Sequence, residues 1–592
     1  MKKEIENLRK YMKEESLDGY LVTPSDFHSS EYVHPHFRAI EFLSGFTGSN
    51  AMLFITPDEA LLWTDSRYYI QAKNELSGSG IKLYKEDLFA FIAKSMPSGG
   101  RLGVDARTIT CALVRRLMAL LKGSGCEIAD TDIISSIWEN RPALSGQKIW
   151  ILDECYAGAS ATDKLKEVRS MMGAADAHIL SDLTAIAWLL NLRGSDVSHT
   201  PIFYAHMIIR QSEALLYAFK EAFDENVLAY LKELGVTLRD YEAFYEEAAG
   251  LIGSDSVLVD ARSISHALYS KLIGAKILFG DNPESLLKAR KNATEISNIR
   301  KANILDGVAM VKLLCWIDKK INEACGDGAD AAHPLTELEI TAKADELRNE
   351  AGALDVSFDT IVGYGPNSAV VHYQADEKSN AVIEPQAGAE LQATFLLIDS
   401  GGHYLNGTTD ITRTMAIGEP TAQMKRHYTA VLKSHIALAR AVFPTGTSGA
   451  RLDMLAREPL YEQHLNFGHG TGHGIGYLLS VHEGPQNISP VSQVAFEEGM
   501  LTSDEPGVYF EGEYGIRIEN DLLCVSCGDG FLCFDNLTLC PYDYRCIDES
   551  LLTDAEKEFL YGYDEAIMEN LREHLGAEEL DFLEKNRFKS SK

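Results

Sequence analysis

Apolar residues at helical spacing open the chain. Ile5, Leu8 and Met12 share one face of the charged segment MKKEIENLRKYMKEE, which predicts an amphipathic helix. Beyond it, short apolar runs bounded by turns alternate with helix-like stretches, and part of this order recurs. LDGYLV (17–22) resembles ADAHIL (175–180), FLSGFTGS (42–49) resembles WLLNLRGS (188–195), and EALLW (59–63) resembles EALLY (213–217), at offsets of 158, 146 and 154. Order is kept while loops change length, so two α/β domains of one fold in tandem are predicted, over residues 1–155 and 156–285. Residues 286–592 read as an α+β block. It opens with a helix from Thr294 to Asn322 and continues as glycine-rich strands and turns to about residue 545. A last helix follows, with a Thr553–Glu556 capping box and an apolar face of Leu560, Tyr563, Ile567, Leu571 and Leu575. No low-complexity linker separates the blocks, so they are expected to pack together.

At 592 residues the chain exceeds a single core. Its formal net charge of −32 speaks against nucleic-acid or anionic-membrane partners, which need basic patches. No stretch reaches the length of a membrane span, and the charged N-terminus lacks a signal-peptide core, so a cytoplasmic protein is expected. The ten cysteines are expected as free thiols. Cys524 and Cys527 form a CxxC, followed by Cys533, Cys540 and Cys546, but these lie in apolar, strand-like runs without the paired spacing of a zinc ribbon.

Chemistry concentrates in the third block. LLID reads as a buried strand ending in Asp399, and TTDITRT as a strand carrying Asp410, with GGHYLNG as a turn between them. A hairpin would bring both aspartates together, with Thr412 and Thr414 on the face of Asp410. Two such carboxylates repel unless a cation lies between them. GHGTGHGIG (468–476) is neither a dinucleotide fingerprint nor an HExxH motif. Its glycines allow close backbone approach, and of His469 and His473 one is expected as a metal ligand and the other either supporting a ligand from behind or against substrate. Glu505 precedes a Pro-Gly turn. In GIRIEN, Arg517 and Glu519 point one way, Ile516 and Ile518 the other. Four carboxylates and one imidazole favour hard or borderline divalent cations, and a pair of these sharing a hydroxide is hydrolase chemistry. No GxSxG elbow or Walker loop competes. His403, in the turn, is expected to be solvated.

At these residues the chain resembles the pita-bread metallopeptidases, and among them the three-domain aminopeptidase P family. The likeness runs over nearly the whole length, through SGFTGSNA, LWTDSRYYIQA, VGYGPNSAVVHY, IDSGGHYLNGTTDITRTMAIG, AVFPTGTSG, HGTGHGIGYLLSVHEGP, EPGVY, YGIRIEN and FDNLTLCPYD. It implies two creatinase-N-like domains before a pita-bread catalytic domain, and metal ligands at Asp399, Asp410, His473, Glu505 and Glu519. Glu505 would also take a proton from the bridging water as hydroxide attacks the scissile carbonyl. His372, His469 and His482 would bind substrate and steady the intermediate, with Arg517 in support. The expected substrates are peptides with proline second, the expected cofactors two divalent ions (manganese, with cobalt or zinc as alternatives), and the expected assembly a homodimer. A prolidase-type dipeptidase is disfavoured by the tandem N-terminal domains, and a non-catalytic peptide-binding relative by the complete ligand set.

Overall fold

The structure, a computed structural model, describes residues 2–325, 335–383 and 393–589. The chain forms two compact units, Met1–Leu286 and Leu287–Lys592.

In the first unit the opening helix spans Lys3–Glu14 and buries Ile5, Leu8 and Met12, as their spacing requires. Two six-stranded sheets follow. One runs, edge to edge, Lys82–Tyr84, Ala60–Thr64, Ala51–Ile55, Gly19–Val22, Arg101–Val104, Glu127–Asp130. The other runs Val236–Asp240, Ala214–Ala218, Ala205–Arg210, Ala177–Leu180, Ser256–Val259, Lys276–Phe279. The strand order is the same, and so is the mixture of antiparallel and parallel pairings. LDGYLV and ADAHIL supply the two inner strands, and every residue of Gly19–Val22 and Ala177–Leu180 is buried. Such strands read as continuous apolar runs because neither sheet face meets water.

A further repeat escaped the sequence reading. VDARTIT (104–110) and VDARSIS (259–265) leave equivalent strands. In the first, Asp105 accepts from the Arg107 backbone N–H at 3.0 Å and from its guanidinium at 3.0 and 2.8 Å. In the second, Asp260 accepts from Arg262 in the same way at 2.8, 3.1 and 2.8 Å. The two loops bond to each other reciprocally. Cys111 N–H donates to Ile264 O at 2.9 Å, answered by His266 N–H to Ile109 O at 2.8 Å. Ala112 N–H donates to Ala261 O at 2.7 Å, answered by Ala267 N–H to Ala106 O at 2.8 Å.

The second unit begins with the long helix Ala293–Cys325. Thr394–Ser400 lies between Ile361–Tyr364 and Ile411–Ile417 in an antiparallel sheet, with Asp399 opposite Thr412. A second antiparallel sheet orders Val442–Pro444, Phe531–Asn536, Asn520–Gly528 and Leu501–Asp504. Gly507–Phe510 and Tyr514–Arg517 form a separate hairpin. The core gathers Val431 and Ile436 from helix Ala422–Ala439, Ile516 and Ile518, and Leu560, Tyr563, Ile567 and Leu571 from helix Asp554–Leu571. The Thr553–Glu556 capping box is present, and Leu575, beyond the helix end, packs half-buried against this core.

The link between the two aspartate strands is not the simple turn expected. Gly402–Tyr404 pairs with Gly407–Thr408 on one side and with Asp355–Val356 on the other. His403 is therefore buried rather than solvated, and its Nδ1 lies 3.0 Å from the Thr408 hydroxyl. Cys524, Cys540 and Cys546 are buried free thiols, and Cys527 is an exposed one.

Alternation along Ile411–Ile417 puts Arg413 on the face opposite Thr412, and it is buried there. Its guanidinium donates to Glu519 O at 2.7 Å, and to Cys540 O, Asn520 Oδ1 and the Tyr563 hydroxyl at 2.8 Å each. One cation thus joins the strand Ile411–Ile417, the backbone of Glu519 and the helix Asp554–Leu571, which a last helix, Ala577–Lys585, follows. Arg413→Met strips several buried acceptors of their donor and is expected to destabilise by about 3 kcal/mol or more. Calorimetry of the full chain should show a lowered melting temperature, and an unchanged one would refute this role.

Candidate metal centre

Local backbone geometry explains how each functional side chain is held. Thr412, on the site face of its strand, donates to Glu519 Oε2 at 2.6 Å and accepts the Glu519 N–H at its carbonyl at 3.1 Å. Asp410 N–H donates to the buried Asp521 carboxylate at 3.3 Å. Glu505 follows strand Leu501–Asp504, and its N–H donates to Thr471 O at 2.8 Å. His473 N–H donates to the Ser503 hydroxyl at 3.0 Å. A Cβ on Gly472 would lie 2.0 Å from Ser503 O, so glycine alone lets the histidine loop close on the strand that leads to Glu505.

The result is a crowd of acids. Among the described residues, Asp410, His473 and Glu519 offer donor atoms that all lie within 4.8 Å of one another. His473 Nε2 is 3.4 Å from Asp410 Oδ2 and 3.6 Å from Glu505 Oε1. Asp399 Oδ2 takes the Arg517 guanidinium at 2.5 Å. Asp399 Oδ1 and Asp410 Oδ1 are buried without a hydrogen-bond donor. Burial pushes the Asp410 carboxyl far above the usual carboxylate range, and Asp399, Asp521 and Glu505 add to it. Glu519 is raised well above its usual range by burial and then by Asp410, Asp399 and Glu505. Asp399 is also raised by burial, against the pull of Arg517. Glu505 behaves in the opposite sense: burial alone would raise it, yet His469, His473, Arg517 and His482 around it hold it low. Carboxylates so crowded that they favour a proton, beside one imidazole nitrogen, are what a divalent cation takes in the proton's place. The residues present fit such a group.

Both histidines of HGTGH are held alike. Nδ1–H of His473 donates to Gly474 O at 2.9 Å, and that of His469 to Gly470 O at 2.7 Å. The carbonyl fixes the tautomer, leaving Nε2 of His473 as the lone-pair donor facing the carboxylates. Nε2 of His469 accepts from the Tyr509 hydroxyl at 2.8 Å, and that hydroxyl accepts from Arg517 at 2.9 Å. Burial is the chief reason the His469 imidazole is pushed down to about 4, so it is neutral at physiological pH. His482 packs edge-on against His473, with ring centroids 4.3 Å apart. His372 follows Val371, whose carbonyl accepts from Arg517 at 3.4 Å, which places its backbone beside that guanidinium. Tyr509 was not singled out from the sequence. Its signal was present: in EPGVY it sits on the strand Gly507–Phe510, four residues after Glu505.

The Creatinase/Prolidase N-terminal domain profile matches residues 4–137, and a second profile of that description matches 140–295. Metallopeptidase family M24 matches 297–526, and the C-terminal region of peptidase M24 matches 530–587. Aminopeptidase P1 of Arabidopsis thaliana is 34% identical, covering 98% of each chain. A probable Xaa-Pro aminopeptidase P of Chaetomium globosum is 35% identical over 97% of this chain and 96% of its own. The crystal structure of the Caenorhabditis elegans X-prolyl aminopeptidase, described as a cytosolic enzyme with a di-nuclear active site, superposes with a TM-score of 0.92 at 31% identity, covering 98% of each chain. With relatives at this identity over nearly its full length, the chain belongs to the aminopeptidase P family of M24 metallopeptidases, built as two creatinase/prolidase N-terminal domains followed by the M24 catalytic domain.

Proposed function

We propose that this protein is an Xaa-Pro aminopeptidase that releases the first residue from peptides with proline second, using two divalent ions held by Asp399, Asp410, His473, Glu505 and Glu519. The observation that carries this reading is the closure of Asp410, His473 and Glu519 donors to within 4.8 Å, beside buried aspartate oxygens that lack donors. The carboxylate-rich donor set suits manganese, with cobalt or zinc as substitutes. When bound, such ions make water a nucleophile at neutral pH and polarise a carbonyl.

The remaining work falls to the chain itself. Glu505, whose carboxylate faces His469 and His473, would accept a proton from the attacking water and pass it on. Arg517 fixes Asp399 with one nitrogen and Tyr509 with another. His469, oriented by Tyr509, together with His482 and His372, would contact substrate and steady the charge that develops on the scissile carbonyl. An Xaa-Pro bond carries no N–H on its proline side, so the site need supply no acceptor for one. We place the protein in the cytosol, as a homodimer. Among the described residues no helix is long and apolar enough to cross a membrane.

Three outcomes test this. Manganese-loaded protein should cleave Xaa-Pro-Yaa tripeptides faster than Xaa-Pro dipeptides, with free Xaa as product. Absence of cleavage of every such tripeptide would sink the reading, and preference for the dipeptide would move it to a prolidase. Glu505→Gln should lower kcat by about 100-fold or more through loss of the proton acceptor. Chelation should abolish turnover and lower the melting temperature, with both restored by manganese, because an ion bound only by the folded state stabilises it. A melting temperature indifferent to chelator and metal would argue against a resident ion.

A further inference from the structure

The HGTGHGIG loop does not end at its histidines. From His473 the chain turns through Gly474 and Gly476 and returns at His482, Glu483 and Gln486. Glu483 N–H donates to Gly474 O at 2.7 Å, and Gly474 N–H donates to Gln486 O at 3.2 Å. The closure is tight: a Cβ on Gly474 would lie 2.1 Å from Glu483 O, and one on Gly476 would lie 2.9 Å from Glu483 Oε2. The Glu483 side chain is buried, 4% exposed, and so are Lys288 and Lys291 at 4% each. Lys291 Nζ is 2.9 Å from Glu483 Oε1, and Lys288 Nζ is 3.1 Å from Oε2. Burial alone would raise the Glu483 carboxyl, and the two ammonium groups outweigh it and hold it below its usual value.

Two ammonium groups on one buried carboxylate are costly to assemble, so their backbone surroundings matter. Lys291 N–H donates to Gly499 O at 2.9 Å, and Arg290 faces Met500 across an isolated bridge. Gly499 N–H donates to Cys524 O at 2.9 Å, and Cys524 N–H returns to Met500 O at 2.8 Å. Gln486 Nε2 donates to Leu501 O at 3.0 Å. Leu501–Asp504 is the strand that delivers Glu505, and Asn520–Gly528 is the strand that starts just after Glu519. The ion triad is therefore tied to all three segments that present His473 with His482, Glu505 and Glu519.

We propose that Glu483 is a positioning residue for the reaction: clamped by Lys288 and Lys291, it fixes the turn that sets His482 against His473. The proposal rests on the aminopeptidase reading above, since His482 is there assigned to substrate. The test uses the full-length, manganese-loaded protein with Glu483→Gln, which removes the charge, and Glu483→Asp, which keeps it but shortens its reach by one methylene. Both should keep their metal and a KM within about threefold of wild type while kcat falls by about tenfold or more, and adding His482→Ala should cost little further. Hydrogen exchange on metal-free protein should show lost amide protection across residues 474–486 in Glu483→Gln. If that variant does not fold, Glu483→Asp decides. A folded variant with wild-type kcat, or a loss that multiplies with that of His482→Ala, overturns the proposal. An inactive wild type would instead overturn the aminopeptidase reading, and the exchange measurement would then decide the clamp by itself.

Discussion

Four carboxylates sharing one pocket, three buried and Glu505 half-buried, are the constraint that the catalytic unit is built around. Two unit charges about 4 Å apart repel by about 4 kcal/mol at the effective dielectric of a partly buried site. A domain's whole net stability is only about 5–15 kcal/mol. The repulsion therefore has to be answered locally, and the structure shows where. Arg517 neutralises one oxygen of Asp399, and imidazoles surround Glu505. Glu519 receives a hydroxyl from Thr412, whereas Asp521, which accepts the Asp410 N–H, adds to the repulsion rather than relieving it. The aspartate oxygens left without donors mark what protein groups alone do not answer.

The supporting frame follows from that burden. Arg413 lies on the back of the same strand and holds the carbonyl of Glu519 in place. Thr412 on the front and Arg413 on the back thus fix one acidic residue from two directions. Glycines at 472 and 474 are needed for a related reason: neighbouring carbonyls approach where a Cβ would stand. Rigidity here is the means by which like charges are kept at a distance that ions can bridge.

Much of this was legible in the sequence because strand alternation is a strong local signal. TTDITRT placed Thr412 with Asp410, and GIRIEN placed Arg517 with Glu519, before any tertiary contact was known. The inner strands of the first unit were equally readable, since burial on both faces leaves a continuous apolar run. What escaped depends on partners distant in sequence. Lys288 and Lys291 look like ordinary surface lysines until Glu483 is brought to them. His403 looks like a turn residue until Asp355–Val356 pairs alongside it. Tyr509 stands near Glu505 in EPGVY, but its tie to His469 and Arg517 exists only once its hydroxyl bridges them. No periodicity encodes such meetings.

The reciprocal bonds between the two VDAR loops have their own consequence. Each loop meets its own counterpart, so Cys111 with Ile264 repeats as His266 with Ile109. A surface that recognises a copy of itself is isologous, the form taken by a twofold dimer. Here both copies lie on one chain. The contact is intramolecular, and its occupancy is set by the tether rather than by how much protein is present. Dilution, which dissociates an ordinary dimer, leaves this one intact.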